Sequence, residues 1–371
     1  MKIGVLTSSR ADFGIYLPLL LELSYDPFFH LEIIAFGTHL SHLHGYTINA
    51  ILAAGFDVQH QLDTVPTKDT PAAIACSIGE TIKLFSQFWS KQKDNFDVIF
   101  CLGDRYEMFA AVIAGVPFQL QFAHIHGGEI TLGAIDNVFR HSITLASKFH
   151  FAATSASVNV IGKLTGDNKY IYNVGSLSLD NIGKLKLLSI DEFYNKWNID
   201  LSIPTILTTF HPETVNFNNN SEYVDILIAA IKQLDTYQFL ITMPNADTAS
   251  QIIRERIIEE FNDSKRVVLV ENLGAVSYFS AMELCRLLLG NTSSGIIEAA
   301  SFGKYVINLG DRQKGRAYGT NVIQTPIICD QIVDAVKRIG KLTYVERGNI
   351  YYNGGATNQI IKILKSMDNE I

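Results

Sequence analysis

The chain has no surplus of positive charge. Its 371 residues carry 30 Lys and Arg against 37 Asp and Glu, a formal net charge of −7. Nucleic-acid binders present a basic face, so nucleic acid is not an expected partner. Cysteine is scarce too. Cys76, Cys101, Cys285 and Cys329 are scattered, with no Cys-x-x-Cys pair, which excludes a zinc knuckle or disulfide framework and reads as buried, reduced thiols. No apolar run approaches the ~20 residues that cross a bilayer. Met1–Thr7 is too short, and too soon followed by Arg10 and Asp12, for a signal peptide. A soluble, cytoplasmic protein without membrane partners is expected.

What the chain does have is apolar residues, 47% of the total, enough for two ordinary cores at this length. They come as short runs alternating with longer periodic stretches. Ile3–Thr7, Leu31–Phe36, Asp97–Leu102, Pro117–Ile125, Phe149–Thr154 and Tyr170–Val174 read as strands; Tyr16–Leu23, Ala72–Trp89 and Ala134–Lys148 read as helices. After a connector with one helix near Asp191–Trp197, the pattern restarts with strands at Pro204–Phe210, Gln238–Met243, Arg266–Val270, Leu287–Gly290 and Tyr305–Leu309, and a helix at Tyr223–Leu234. Strand and helix in alternation imply parallel sheets. The expected architecture is α/β, two Rossmann-like domains with parallel sheets facing a central cleft. They occupy residues 1–174 and 175–355, and a final helix in 356–371 packs back on the first. Asn216–Asn220 reads as a surface loop.

Ligands of such sheets bind past the carboxyl ends of the strands, and there the polar residues collect. Asp104 follows one strand. His126 and Glu129 follow the next, and Asp136 opens the helix after it. Several ionisable groups at adjoining strand ends suit proton transfer. His124 and His126, alternate residues of one run, also have the spacing of a metal pair with Glu129 as third ligand, but no further ligand set accompanies them. In the second half, Gly290-Asn-Thr292-Ser293-Ser294-Gly-Ile-Ile-Glu298 runs from a strand into a helix, where backbone N–H groups and hydroxyls suit a phosphate. The plain alternative is helix capping. Arg312, Lys314 and Arg316 are fit to hold a diphosphate; Arg10 and His211 stand at first-strand ends.

Taken together, Ser9-Arg10-Ala11-Asp12, Leu102–Arg105, His124–Glu129, Arg140–Thr144, Phe210–Thr214, Asn245-Ala-Asp247, Gly290–Gly295 and Ile307–Arg316 resemble the hydrolysing UDP-N-acetylglucosamine 2-epimerases, most closely those supplying N-acetylmannosamine for bacterial sialic acid. The resemblance covers essentially the whole chain. It implies a GT-B fold, no metal, no NAD or other cofactor, and a homodimer or homotetramer. It also implies a two-stage reaction: UDP leaves C1 as C2 loses its proton, giving a glycal, and water then adds. Asp104 and Asp136 fall on family carboxylates of proton transfer, and His211 on a histidine near the diphosphate. Arg10, Asn245, Thr292, Ser293, Ser294, Glu298 and Arg312 fall on the UDP-binding part, with Glu298 on the ribose. One departure is His126, where other members carry a glutamate, so the C2 proton falls to His126 or Glu129.

A sister enzyme acting on UDP-2,4-diacetamido-2,4,6-trideoxyglucose for legionaminic acid shares these motifs. A non-hydrolysing epimerase would carry Glu-Ala-Gly where this chain has His126-Gly-Gly. A glycosyltransferase or a non-catalytic UDP-sugar binding protein would share the nucleotide half but would not need the acidic and histidine cluster.

Overall fold

Short apolar runs between polar turns fold here as the buried strands of two parallel sheets, with helices in the crossovers. The computed structural model describes residues 1–42, 45–64, 70–215, 217–244, 250–342 and 348–367. They divide into unit 1, Met1–Glu129, Asp136–Gly183 and the chain from Tyr351 onward, and unit 2, Ile130–Ile135 and Lys184–Ile350.

Unit 1 runs β1 (Lys2–Thr7), α1 (Arg10–Tyr25), β2 (His30–Phe36), α2 (Ile48–Ala53), β3 (His60–Leu62), α3 (Pro71–Gln92), β4 (Val98–Leu102), α4 (Tyr106–Gly115), β5 (Phe122–Ile125), α5 (Asp136–Ala146), β6 (Phe149–Ala152), α6 (Ser155–Thr165), β7 (Ile171–Asn173) and α7 (Leu177–Ile182). The strands pair in the order β3-β2-β1-β4-β5-β6-β7. Because side chains alternate across a strand, each face of the sheet builds its own core. Ile3, Val5, Phe100, Phe149 and Phe151 pack with Phe13, Tyr16 and Leu20 of α1. Leu6, Ile99, Cys101 and Phe122 meet Phe85 and Trp89 of α3, Met108 and Val112 of α4, and Ile143 of α5. Each such side chain contributes about 1.5–3 kcal/mol by leaving water. The helix Ala356–Ser366 adds Ile360 and Leu364 to the first core, against α1 and α7.

Three expectations are corrected, two in this unit and one across both. Helix α1 begins at Arg10, six residues before the apolar period shows, because Ser9 caps it. The Asp12 carboxylate accepts from Ser8 N at 2.9 Å and Ser8 Oγ at 2.6 Å, closing the cap. Pro18 lies inside this helix and cannot donate to Gly14; Asn181 Nδ2 donates to that carbonyl instead, at 3.3 Å. The strand expected from Pro117 begins only at Phe122, because Val116–Phe118 form a 3-10 turn ended by Gln119 at φ 58°. Cysteine burial is mixed: Cys101 and Cys285 are buried, Cys329 is half-buried and Cys76 is exposed on α3.

Unit 2 runs α8 (Ile190–Trp197), β8 (Thr205–Thr209), α9 (Asn220–Gln233), β9 (Gln238–Thr242), α10 (Ser250–Phe261), β10 (Val267–Val270), α11 (Gly274–Leu284), β11 (Leu287–Gly290), α12 (Ser293–Ile297), β12 (Val306–Leu309), β13 (Val322–Thr325) and α13 (Cys329–Ile339). Its sheet is parallel, in the order β10-β9-β8-β11-β12-β13, around a core of Ile206, Phe239, Ile241, Leu289 and Ile307 with Leu227, Ile231 and Val336 of the flanking helices. Ile130–Ile135 is built into this unit: Leu132 N donates to Lys314 O at 2.9 Å and Ile135 N to Thr214 Oγ1 at 3.0 Å. Asn220, expected in a surface loop, is instead the fully buried first residue of α9.

Gly290 ends β11 at φ 148°, and a Cβ added there would stand 2.0 Å from the Thr209 carbonyl oxygen of the neighbouring strand. Gly290→Ala is therefore expected to cost about 3 kcal/mol, read as a lowered urea midpoint with unchanged m-value.

Candidate active site

In both sheets the strand order reverses next to the first strand of the unit, between β1 and β4 and between β8 and β11. Chains leaving such neighbours diverge to opposite faces of the sheet and open a crevice at the carboxyl ends. In unit 1 these ends carry Arg10 after β1 and Asp104 after β4, with His126 and Glu129 following β5. In unit 2 they carry His211 after β8 and Thr292, Ser293 and Ser294 after β11, with Arg312 following β12.

Within unit 1, Arg140 ties the group together. It projects from α5 into the interior, 1% exposed, donating from Nη1 to the Glu129 carbonyl at 2.9 Å and from Nη2 to the Asp104 carboxylate. Both acceptors are thereby held by one planar fork. His126 lies beside Glu129, with Nδ1 at 4.0 Å from Oε1. On its other side Nε2 accepts from Leu177 N at 3.4 Å and faces the Ser176 hydroxyl at 3.3 Å. An N–H is met by a ring lone pair, so the neutral ring carries its proton on Nδ1, towards Glu129. Asp136 is the half-buried first residue of α5. Arg10 stands exposed at the start of α1, while Ser8 and Ser9 occupy the Asp12 carboxylate.

His124 does not belong with these groups. Its ring is buried, with Nε2 on the Gly103 carbonyl at 2.8 Å and Nδ1 on Thr144 Oγ1 at 3.1 Å. Burial pushes its pKa down to about 3. Nor does it share a face with His126, which has left the strand at φ 63°, so the alternation behind a metal pair breaks there. His124 instead fixes the backbone just before Asp104.

In unit 2 the hub is Asn291, fully buried. Its side chain accepts from His211 N at 2.7 Å and donates to His211 O at 2.8 Å. Its carbonyl accepts from Arg312 Nη1 at 3.4 Å and Gln313 Nε2 at 2.9 Å. His211 and Arg312 are thus indexed to one residue. Thr292 precedes α12 without a side-chain capping bond, so the capping alternative does not describe it. Helix α12 has only five residues, which leaves the hydroxyls and loop amides more important than any helix dipole. Ser294 Oγ meets Tyr278 Oη at 2.8 Å, and burial pushes that phenol up to about 12. Glu298, 6% exposed, closes α12. Lys314 is exposed and paired with Asp311, whereas Arg316 is buried. Asn245 lies outside the described residues.

Arg140 and Asn291 stand in motifs the sequence marks, but nothing there assigns them a positioning role, and Tyr278 is not marked at all. Arg140 leaves one trace: it shares the buried stripe of α5 with Ile143 and Thr144, and an arginine in an apolar stripe needs a buried acceptor.

A family model described as UDP-N-acetylglucosamine 2-epimerase matches residues 21–365. The hydrolysing UDP-N,N'-diacetylbacillosamine 2-epimerase of Legionella pneumophila is 30% identical over 367 residues, 99% of this chain and 96% of that one. The polysialic acid biosynthesis protein P7 of Escherichia coli is 31% identical over 369 residues, 98% of this chain and 93% of that one. Among solved structures, UDP-GlcNAc 2-epimerase from Neisseria meningitidis, bound to UDP-GlcNAc, matches with a TM-score of 0.83 at 18% identity, covering 99% of this chain and all of that one. The fold is accordingly GT-B-like, with two Rossmann-like domains. With the family model spanning most of its length, the chain belongs to the UDP-N-acetylglucosamine 2-epimerase family.

Proposed function

We propose that this protein is a hydrolysing 2-epimerase that converts UDP-N-acetylglucosamine and water to N-acetylmannosamine and UDP, supplying sialic acid synthesis. The observation that carries the reading is the joint hold of Arg140 on the Asp104 carboxylate and the Glu129 backbone carbonyl, with the His126 ring beside the Glu129 side chain. Breaking a C–H bond at C2 requires a positioned base, and reprotonation from the opposite face requires a second group. In the first stage the C2–H bond breaks, its proton passing to a side-chain base. The C1–O bond to UDP breaks with it, and C1=C2 forms. In the second stage water adds its oxygen to C1 as one of its O–H bonds breaks, that proton passing to a side-chain base, and a proton returns to C2 from a side-chain acid on the other face. Asp104, Asp136 and the His126–Glu129 pair are the candidates for these transfers. Arg10, Asn245, Thr292, Ser293, Ser294, Glu298 and Arg312 are the candidates for UDP, and His211 for the diphosphate, whose departure is eased as its charge is shared.

A second sugar is favoured by one specific finding: the Legionella relative is named for UDP-N,N'-diacetylbacillosamine. The deciding experiment is a proton NMR time course in D₂O with each UDP-sugar in turn. The expected result is release of UDP together with N-acetylmannosamine carrying deuterium at C2. Turnover of the diacetamido sugar alone would move the substrate to that compound. A protein that binds both UDP-sugars and never exchanges or removes the C2 hydrogen of either would end the epimerase reading.

A further inference from the structure

Unit 2 buries a carboxylate among the loops assigned to an anion. Glu213 is 2% exposed, two residues past His211, and its Oε1 accepts from Asp311 N at 2.8 Å. Its own backbone is clamped as well: its N–H donates to Asn220 Oδ1 at 2.9 Å and its carbonyl accepts from Asn220 Nδ2 at 3.0 Å. The turn it grips is cut to fit. Gly310 has φ 68°, and a Cβ there would lie 2.7 Å from Glu213 Oε1. A buried negative charge opposes an incoming diphosphate, so its presence calls for a compensating gain. Burial and the Asp311 charge raise its pKa, while the amides of Asp311 and Arg312 and the Arg312 guanidinium favour the ionised form.

We infer that Glu213 is a positioning residue for a nucleoside diphosphate, locking the Gly310–Arg312 turn and thereby setting where the Arg312 guanidinium stands. The inference rests on the nucleotide-sugar reading above. With the carboxylate on one side and the Asn291 carbonyl on the other, Arg312 is ordered before the ligand arrives, and binding need not supply that ordering. The deficit in net positive charge is the cost of a fixed arginine.

The test is calorimetric titration of the full chain with UDP and with UMP, beside thermal melts. The wild type is expected to bind UDP more tightly than UMP. Glu213→Ala removes the acceptor, and is expected to weaken UDP about 10- to 100-fold and UMP less. Glu213→Gln retains an oxygen that accepts from Asp311 N, and is expected to stay within about threefold of wild type. If Glu213→Ala does not fold, Glu213→Asp, one methylene too short to reach, carries the same expectation. Variants that melt earlier yet keep the wild-type UDP affinity and UDP-to-UMP ratio would overturn the inference. A wild-type chain that binds no UDP at all would instead overturn the nucleotide reading, and this inference with it.

Discussion

Asp104→Asn is expected to lower turnover of the UDP-sugar about a thousandfold while leaving UDP affinity close to wild type. The substitution keeps the shape of the side chain and removes its basicity. It also turns an acceptor-only group into one with an N–H face, opposed to the Arg140 guanidinium, which already donates to the carboxylate and is buried. The amide must present its oxygen to Arg140, which leaves no basic oxygen for a proton. UDP titration separates loss of chemistry from loss of folding, because the candidate nucleotide groups of unit 2 are built on the other sheet. Deuterium incorporation at C2 is the sharper readout, since it reports proton transfer even where product release is slow. A variant within tenfold of the wild-type rate would remove Asp104 from the proton-handling groups and shift the role to His126 and Glu129.

Unit 1 is expected to lose stability steeply in mild acid. Burial pushes His124 down to about 3 and His150 down to about 4, against about 6.5 in the unfolded chain. Above that value neither ring is protonated in either state, and their contribution is complete. As pH falls below it, each of these rings takes up a proton in the unfolded chain that it refuses in the folded unit. Stability then drops by about 1.4 kcal/mol per pH unit for each ring. His150 stops adding to the loss near pH 4 and His124 near pH 3, where the folded rings charge as well. Between pH 6.5 and pH 4.5 the two together account for about 5 kcal/mol, of the order of a whole domain's stability. Urea melts across this range measure it. His150→Phe should lower the slope, because it removes one of the buried rings whose pKa is pushed down. A melt that does not move between pH 7 and pH 5 would show that the rings are not held neutral.

The strand ends and the residues beyond them were legible because a buried parallel strand must be apolar along its length, so its last residue is marked by the first polar one. Asp104, His126, His211 and Arg312 all stand just past such edges. What was not legible depends on backbone conformation and on long-range partners. Alternation put His124 and His126 on one face, and a single positive φ at His126 undid it. The run from Pro117 looked like a strand because a 3-10 turn can be as apolar as a strand. A helix read from Tyr16 puts Pro18 in its first turn, and only Asn181, far along the chain, explains how it sits deeper inside one. Nothing in the spelling of Ile130–Ile135 says that it is held by Lys314 and Thr214. Asn220 looked like one asparagine of a polar cluster, yet it is the clamp on Glu213.

The helix Ala356–Ser366 sets an order of events during synthesis. All six strands of unit 2 have been made by Thr325 and its α13 by Ile339, so that sheet has its helices before the chain reaches residue 356. Unit 1 has its seven strands far earlier, but its core lacks Ile360 and Leu364 until that later helix leaves the ribosome. Until then the faces of α1 and α7 that receive it stand open, an apolar surface of the kind that chaperones guard on nascent chains. The part of the protein translated first is therefore the last to be sealed.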